Sequence, residues 1–274
     1  MAVGDVMVDV VCAETPSAGA RVHADVSVRA GGSAVNAARA AADAGASAVV
    51  IGRIGSDPAG DLVLAELSRR GISAELARDP EVPTGAAAAF PGPTVVAMRG
   101  ANERFAPTDV PEAIDADALF VSGFALFQAG SADAAAAAME RFSGAWVGIS
   151  VASPPLAGVA RDVEIVGGET RTAIVATADE AHALTGLSPN EAAQALAAKF
   201  SVACVTLGEE GAIASEGSRL EKRRPEQRHR ESRLGAGDEF AGAFLVALTA
   251  GMPLGTALEL ACAAGARAAH SRNR

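Results

Sequence analysis

Short β-rich runs alternate with alanine-rich helical stretches, and this alternation constrains the fold more than any other feature of the chain. Strands are predicted at 2–11, 48–52, 118–123, 145–151, 174–177 and 202–208. Helices are predicted at 34–44, 59–70, 131–142, 179–185, 189–200, 238–250 and 254–269. Such a pattern predicts an α/β fold with a mainly parallel sheet covered on both faces. Ligands of such sheets bind beyond the carboxyl ends of the strands.

Composition narrows the classes of protein that the chain can belong to. Its 274 residues, half of them hydrophobic, predict one domain over 1–274 with a sizeable core. A net charge of −10 argues against nucleic-acid binding. Three widely spaced cysteines indicate neither a disulfide framework nor a zinc motif. With no secretory signal and no long apolar run, we expect a cytoplasmic protein that makes no membrane contact.

Three segments do not follow the alternation. Residues 12–30 and 83–104 carry short alternating patterns that could pair as a small β-lid over the sheet. A lid that closes on substrate excludes water from a reaction, although two surface hairpins would give the same pattern. Residues 219–233 are strongly basic, which is typical of a solvated loop; a segment that faces phosphate is the alternative.

The strongest local motif is LGAGDEFAGAF at 234–244. Gly235, Ala236 and Gly237 lead into a helix, and the first amides of a helix have no partner within it. These amides can therefore bind a phosphate. Asp238 lies at the same helix start, where a carboxylate could accept a proton from an attacking hydroxyl. A tight turn with Asp238 as the N-cap explains the motif equally well.

Two further sites could bind a polyol. In AGGSAVNAARAAADAGA, Gly31 and Gly32 precede a helix that carries Asn36, whose amide both donates and accepts hydrogen bonds. A glycine turn before a packing helix is the alternative. Asp9, at the end of the predicted strand 2–11, could accept hydrogen bonds from two sugar hydroxyls, or could be a turn residue.

Together these motifs resemble the ribokinase-like (PfkB) carbohydrate kinases. GGSAVNAARAAADAGA followed by VVIGRIGSDPAGDLVLAELSRRGI is similar to their amino-terminal signature, and LGAGDEFAGAF to their carboxy-terminal signature. VTLGEEGAIA at 205–214 resembles their nucleotide-contacting turn. ATADEAHALTG at 176–186 resembles their magnesium-associated segment, and RGANERFAPTDV at 99–110 the stretch after their flap. The order of these segments covers nearly the whole chain.

The resemblance implies a ribokinase-like three-layer α/β/α fold with a β-lid, and an ATP-dependent kinase of small sugar-like substrates. Asp238 would be the catalytic base, and the amides of residues 235–237 the anion hole. Asp9, the Gly31–Gly32 turn and Asn36 would hold the sugar. Thr206, Gly208 and Gly211 would lie along ATP, and Glu180 would act through Mg²⁺ and its waters. By the same analogy, apolar edges of the lid would pair two copies into a homodimer.

Several positions depart from the family pattern. Ser232 and Arg233 stand where the family has Asp and Thr, which puts activation by a monovalent cation in doubt. One hypothesis is that Arg230 or Arg233 replaces the charge of that cation. Thr177 replaces an Asn three residues before Glu180. A glutamate near the ribose is replaced around Phe124, and Ser150-Val151-Ala152 replaces an Asp-X-Asn element, so we expect a substrate other than ribose.

Three functions remain open from the sequence. The first is an active kinase of a sugar, sugar acid or nucleoside, favoured by the intact Gly-Ala-Gly-Asp and Gly-Gly-X3-Asn motifs. The second is a catalytically weak relative that binds a sugar or nucleotide and regulates or scaffolds, favoured by the lost Asp and Thr. A dinucleotide-binding oxidoreductase is disfavoured because no Gly-X-Gly-X-X-Gly follows the first strand.

Overall fold

A sheet of nine strands organises the molecule. The computed structural model describes residues 1–92, 94–160, 170–225 and 234–270. The strands are β1 (Ala2–Val3), β4 (Val49–Gly55), β5 (Ser73–Asp79), β9 (Ala118–Ser122), β11 (Trp146–Ser150), β12 (Arg171–Thr177), β13 (Val202–Thr206), β14 (Ala212–Glu216) and β15 (Arg219–Arg223), in the order β15-β14-β13-β12-β11-β9-β1-β4-β5. Every neighbouring pair from β13 to β5 is parallel, and β14 and β15 are antiparallel. The predicted α/β class is therefore confirmed.

Helices cover both faces of this sheet. The helices are α1 (Ser33–Asp43), α2 (Pro58–Arg69), α3 (Gly123–Leu126), α4 (Ala132–Glu140), α5 (Pro154–Ala160), α6 (Ala178–Thr185), α7 (Pro189–Ala197), α8 (Ala236–Thr249) and α9 (Leu254–His270). Apolar residues of α1, α2, α8 and α9 share one core with the sheet. Those of α3 and α4, and of α5 to α7, form cores on the opposite face. The three layers match the expected ribokinase-like arrangement.

Both faces of the strands are apolar, as burial on both sides requires. In β13, Val202 and Cys204 belong to the core under α8 and α9, whereas Ala203 and Val205 belong to the core under α7. Side chains of a strand point alternately to opposite faces, so a continuous apolar run supplies both cores. Because these strands are parallel, their carboxyl ends lie at one edge of the sheet, beside the first turns of α6 and α8.

A second sheet of four strands lies apart from the first. Its strands are β2 (Met7–Cys12), β3 (Val26–Gly31), β6 (Gly85–Ala89) and β7 (Val95–Met98), in the order β3-β2-β6-β7. Strand β2 pairs antiparallel with β3 and parallel with β6, and β6 pairs antiparallel with β7. The segments predicted to form a lid, 12–30 and 83–104, supply three of these strands, and residues 13–25 add no strand.

The single strand predicted over 2–11 is wrong, because the chain changes sheets within it. β1 ends at Val3 in the large sheet, and β2 begins at Met7 in the small one. The Cα of Gly4 lies against Ser122, where a Cβ would come within 2.5 Å of the Ser122 Cβ. The backbone carbonyl of Asp5 accepts a hydrogen bond from the Ala34 amide at the start of α1. These contacts turn the chain out of the large sheet, and Asp9 thereby lies inside a strand.

Buried polar side chains join the small sheet to the body. Arg99 donates to both carboxylate oxygens of Asp5, at 2.9 and 2.7 Å. The side chain of Asn102 accepts from the Val6 amide and donates to the Val6 carbonyl. These bonds fix the segment between the two sheets. Because buried polar groups that keep all their partners specify one arrangement, the small sheet has a defined place over the large one.

The basic segment is only partly a loop. Residues Arg219–Arg223 form β15, an edge strand that pairs antiparallel with β14. Exposed charged side chains are typical of edge strands, where they discourage pairing with another chain. Thus the solvated-loop interpretation is wrong for this part. Ser232, and the hypothesis that concerned Arg230 and Arg233, lie outside the described residues. Among the described residues, no helix is long and apolar enough to cross a membrane.

Candidate active site

The first turn of α8 forms the centre of the site. Gly235 precedes the helix with a φ of 85°, a left-handed conformation that glycine adopts without strain. Its carbonyl accepts the hydrogen bond of the Glu239 amide, which begins the helix. Gly237 is exposed, and a Cβ built on it would meet no atom within 4 Å. The space beside Gly237 in the first turn of α8 is therefore open.

Asn36 reaches this turn from α1. The two helices pack closely because Gly242 of α8 lies against the backbone of Ala37, where a Cβ would overlap the Ala37 carbonyl. A small residue at a helix crossing permits such an approach. Asn36 is buried, and its Nδ2 donates to Oδ2 of Asp238 at 3.4 Å. A Cβ on Gly235 would overlap the same amide group. The two predicted sites on α1 and α8 thus form one.

Asp9 enters the site from the small sheet. It is almost fully buried in the middle of β2, opposite Arg29 of β3, with 3.9 Å between the Asp9 Oδ2 and the Arg29 Nε. Gly31 lies against its carboxylate, because a Cβ there would overlap Asp9. Gly32 has a φ of 89° and lies against the Asp5 backbone. These contacts leave no room for a side chain at either position, so they explain the Gly31–Gly32 pair without any ligand.

The electrostatics of Asp238 are unusual for a carboxyl group. Burial raises its pKa to about 7 from 3.8, and the hydrogen bond from Asn36 opposes this change. The negative charges of Glu239, Asp9 and Glu180 raise the pKa further. Asp9 and Glu180 are thus close enough to Asp238 for their charges to act on it. A carboxyl that titrates near neutral pH is suited to exchange protons with a substrate.

Glu180 lies in the first turn of α6. Its Oε2 accepts from the Thr177 amide at 2.8 Å, and its own amide donates to the Thr177 hydroxyl at 3.2 Å. This reciprocal capping box stabilises the helix start and explains why Thr177 can replace the family's Asn. Burial raises the pKa of Glu180. The capping box is a structural role that the sequence analysis did not assign to this pair.

Thr206, Gly208 and Gly211 lie at the end of β13 and in the turn that follows. Thr206 pairs with Thr177 across the sheet, which places this turn beside the start of α6. Gly208 and Gly211 have φ values of 60° and 95°, and a Cβ on Gly211 would overlap the Arg223 carbonyl. The backbone conformation of the turn therefore requires both glycines. The exposed end of the turn lies at the same edge of the sheet.

Two charged residues that the sequence analysis missed complete the site. Arg39 of α1 donates through Nη2 to Oδ1 of Asn36, and its Nε lies 3.4 Å from Oε1 of Glu239. Both side chains are largely buried. The spacing in the sequence could have pointed to Arg39, because it follows Asn36 by three residues and the two therefore share a helix face. That face is buried, and a buried arginine requires an acidic partner.

Ala152 marks a second departure from the family. It has a φ of 78°, the only positive φ outside glycine among the described residues. A left-handed conformation costs an alanine about 1–2 kcal/mol. Asn tolerates this conformation better than alanine, so the Asn of the family's Asp-X-Asn element would be less strained at this position. Phe124 lies half-buried in α3.

The residues present fit a magnesium ion that is held mainly by nucleotide phosphates. Among the described residues, no group of three or more potential ligands could hold a metal by itself. Mg²⁺ commonly keeps several waters and binds through one or two carboxylates together with phosphates. Glu180 supplies one buried carboxylate near Asp238 for this purpose.

Known proteins resemble the chain over nearly its full length. An adenosine kinase from Sinorhizobium meliloti has 20% identity and a TM-score of 0.81, covering 97% of this chain and 91% of its own. A fructokinase from Vibrio cholerae O395, bound to fructose, ADP and a calcium ion, has 25% identity and a TM-score of 0.78, covering 97% and 91%. A protein described as a ribokinase II from E. coli, in complex with ATP and Mg²⁺, has 18% identity and a TM-score of 0.83, covering 98% and 91%.

Sequence comparison gives the family. A search of curated proteins found no match. The model of the pfkB family carbohydrate kinases matches residues 1–273. Because that match extends over almost every residue, the chain belongs to the pfkB family of carbohydrate kinases.

Proposed function

We propose that the chain transfers the γ-phosphoryl group of ATP to a hydroxyl of a small sugar, sugar acid or nucleoside, with Asp238 as the base. Family membership supports kinase chemistry in general. The observation that carries the specific proposal is the contact between Asn36 and Asp238, which joins the two signature motifs at the first turn of α8. The pKa of Asp238, raised to about 7 by burial, supports its role as the base. Solved relatives hold fructose with ADP, or ATP with Mg²⁺.

The proposed mechanism assigns one task to each group. Asp9 and Asn36 hold hydroxyls of the acceptor, and the Gly31–Gly32 turn brings the backbone close to it. Asp238 accepts the proton of the attacking hydroxyl. The amides of Gly235, Ala236 and Gly237 stabilise charge on the transferred group, since phosphoryl transfer depends mainly on positioning and electrostatics. The turn with Thr206, Gly208 and Gly211 lies along ATP.

Bound Mg²⁺ would neutralise phosphate charge, and Glu180 would hold it through water. The buried carboxyl of Glu180 is held in place by the capping box with Thr177. Activation by a monovalent cation is doubtful, because Ser232 and Arg233 stand where the family has Asp and Thr. Residues 12–30 and 83–104 act as a lid, because the small sheet carries Asp9 into the site and so couples lid position to substrate binding.

Replacing Asp238 tests the mechanism. We expect Asp238→Asn to lower kcat by about 10²–10⁴-fold, the usual contribution of a general base. ADP release from ATP should be measured with a panel of sugars, ribonucleosides and sugar acids.

In the wild type, kcat/KM should rise as the pH increases through about 7, because the base must lose its proton before it can accept another.

The same panel separates the two candidate functions. If wild type and Asp238→Asn are equally inert with every acceptor and still bind ligands, the chain is a catalytically weak sugar- or nucleotide-binding relative. A wild type that is active with one acceptor, together with an inactive Asn variant, supports the kinase and also names the substrate class.

Two glycines provide a matched test of the anion hole. Gly237→Ala should leave the unliganded protein as stable as the wild type, because its Cβ meets nothing within 4 Å. The new methyl group would lie over the helix amides, so we expect kcat to fall. Gly235→Ala should lower both kcat and stability, the latter by about 1–2 kcal/mol, because its φ is 85°. Unchanged kcat in Gly237→Ala would argue against phosphoryl binding there. Thermal unfolding and steady-state kinetics measure the two effects.

We further propose that the small sheet pairs two copies into a homodimer. Its registers align Val28, Val10, Ala88 and Val96 in one row on the face opposite to Asp9. Val28 and Val96 are 53% and 66% exposed, and Val26 and Met98 extend the apolar surface. Exposed apolar patches of this kind mark interaction sites. Sedimentation velocity should therefore show a dimer at micromolar concentration, and a monomer would contradict the proposal.

A further inference from the structure

Arg39 is a buried charge that the proposed mechanism does not use. Only 7% of its side chain is exposed, on the face of α1 that packs against α8. Burial lowers the pKa of its guanidinium, and the charge of Glu239 opposes this effect. Glu239, with Oε1 at 3.4 Å, is the charged partner that makes burial of Arg39 tolerable. A chain that required only a packed helix interface could have placed apolar residues at both positions.

The second partner of Arg39 is the amide of Asn36. A guanidinium has only hydrogen-bond donors, so the atom of Asn36 that faces it must be the acceptor Oδ1. The opposite atom, Nδ2, then faces the carboxylate of Asp238. If the amide were rotated by half a turn, donor would face donor at Arg39 and acceptor would face acceptor at Asp238. Arg39 therefore selects one of the two orientations of this amide.

We propose that Arg39 is a positioning residue, which acts through Asn36 to hold an amide donor on the carboxyl of Asp238 and so keeps the base oriented. This inference rests on the proposed function of Asp238. Glu239, one residue after Asp238, holds the guanidinium in place from the other side. The three helical side chains Asn36, Arg39 and Glu239 thus form a buried support for the carboxyl.

The charges around Asp238 set the direction of the expected effect. The groups that face it are Glu239 on α8, Asp9 on β2, Glu180 on α6 and the amide of Asn36 on α1. The three carboxylates favour the protonated form of Asp238, and only the Asn36 contact favours the charged form. Loss of that contact must therefore raise the pKa of Asp238 and reduce the fraction of active base at neutral pH.

Arg39→Lys tests the inference while keeping the positive charge. A single ammonium group cannot reproduce the fork that reaches both Asn36 and Glu239. We expect the acid limb of the kcat/KM profile to move upward by about 0.5–1 pH unit, the scale of one ordinary hydrogen bond. Because about half of the base is ionised at pH 7 in the wild type, this corresponds to a loss of about two- to fivefold at that pH, with the KM for ATP unchanged.

A matched control separates positioning from general stability. Arg53 also bridges two carboxylates, those of Asp79 and Asp109. None of these three residues belongs to α1 or α8. Arg53→Lys should lower the melting temperature without moving the pH profile. If Arg39→Lys also lowers only the melting temperature, Arg39 is structural and the inference is overturned. If Arg39→Lys fails to fold, the double variant Arg39→Met/Glu239→Gln is compared with Glu239→Gln alone, because loss of the Glu239 charge lowers the pKa of Asp238 in both. The upward shift is expected in the double variant relative to that single variant, and its absence overturns the inference.

A titration without substrate keeps this test independent of the proposed function. The Asp238 carboxyl can be followed by ¹³C NMR of aspartate-labelled, unliganded protein, with Asp238→Asn providing the assignment. An upward shift of its pKa in Arg39→Lys, but not in Arg53→Lys, supports the inference even if no acceptor is phosphorylated. An unchanged pKa in Arg39→Lys overturns it even if the wild type proves to be an active kinase.

Discussion

The close crossing of α1 and α8 is the contact on which the candidate site depends. Gly242 allows the two helices to touch backbone to backbone at Ala37. This approach brings Asn36 within reach of Asp238 and leaves no room for a side chain on Gly235. Two motifs some 200 residues apart in the chain thereby form one polar centre. A bulkier residue at the crossing would separate Asp238 from its amide partner Asn36 without changing either of them.

Charge is unevenly distributed around this centre. Asp9, Glu180 and Glu239 all act against ionisation of Asp238, whereas Arg39 offsets Glu239 and orients Asn36. Clusters of like charge are costly for folding, and proteins keep them where chemistry needs a shifted pKa. The start of α8 is the complementary feature, because the N-terminus of a helix carries partial positive charge without a cationic side chain. The proposed anion site of this acidic protein relies on that charge.

The sequence predicted the layers of the fold better than it predicted the geometry of the candidate site. Alternation of strands and helices was sufficient for the class, since burial on both faces leaves a continuous apolar pattern. Asp9 was misplaced because the run 2–11 is uniformly strand-like, and the change of sheet depends on contacts of Gly4 and Asp5 with distant residues. Arg39 and Glu239 were missed because a buried ion pair is defined by a partner on another helix. The carboxylates that raise the pKa of Asp238 likewise come together only after folding.

The central claim, that Asp238 is a carboxyl forced to titrate near neutral pH by its folded surroundings, can be tested through stability alone. The measurement is the free energy of unfolding of wild type and Asp238→Asn between pH 4 and pH 9. Because the folded pKa lies above the unfolded value of 3.8, wild-type stability should fall as the pH rises from about 4 to about 7. The Asn variant should therefore become relatively more stable over that range, by about 2 kcal/mol at pH 8 once partial solvent exposure is allowed for. A difference between the two proteins that stays constant across the pH range would contradict the account.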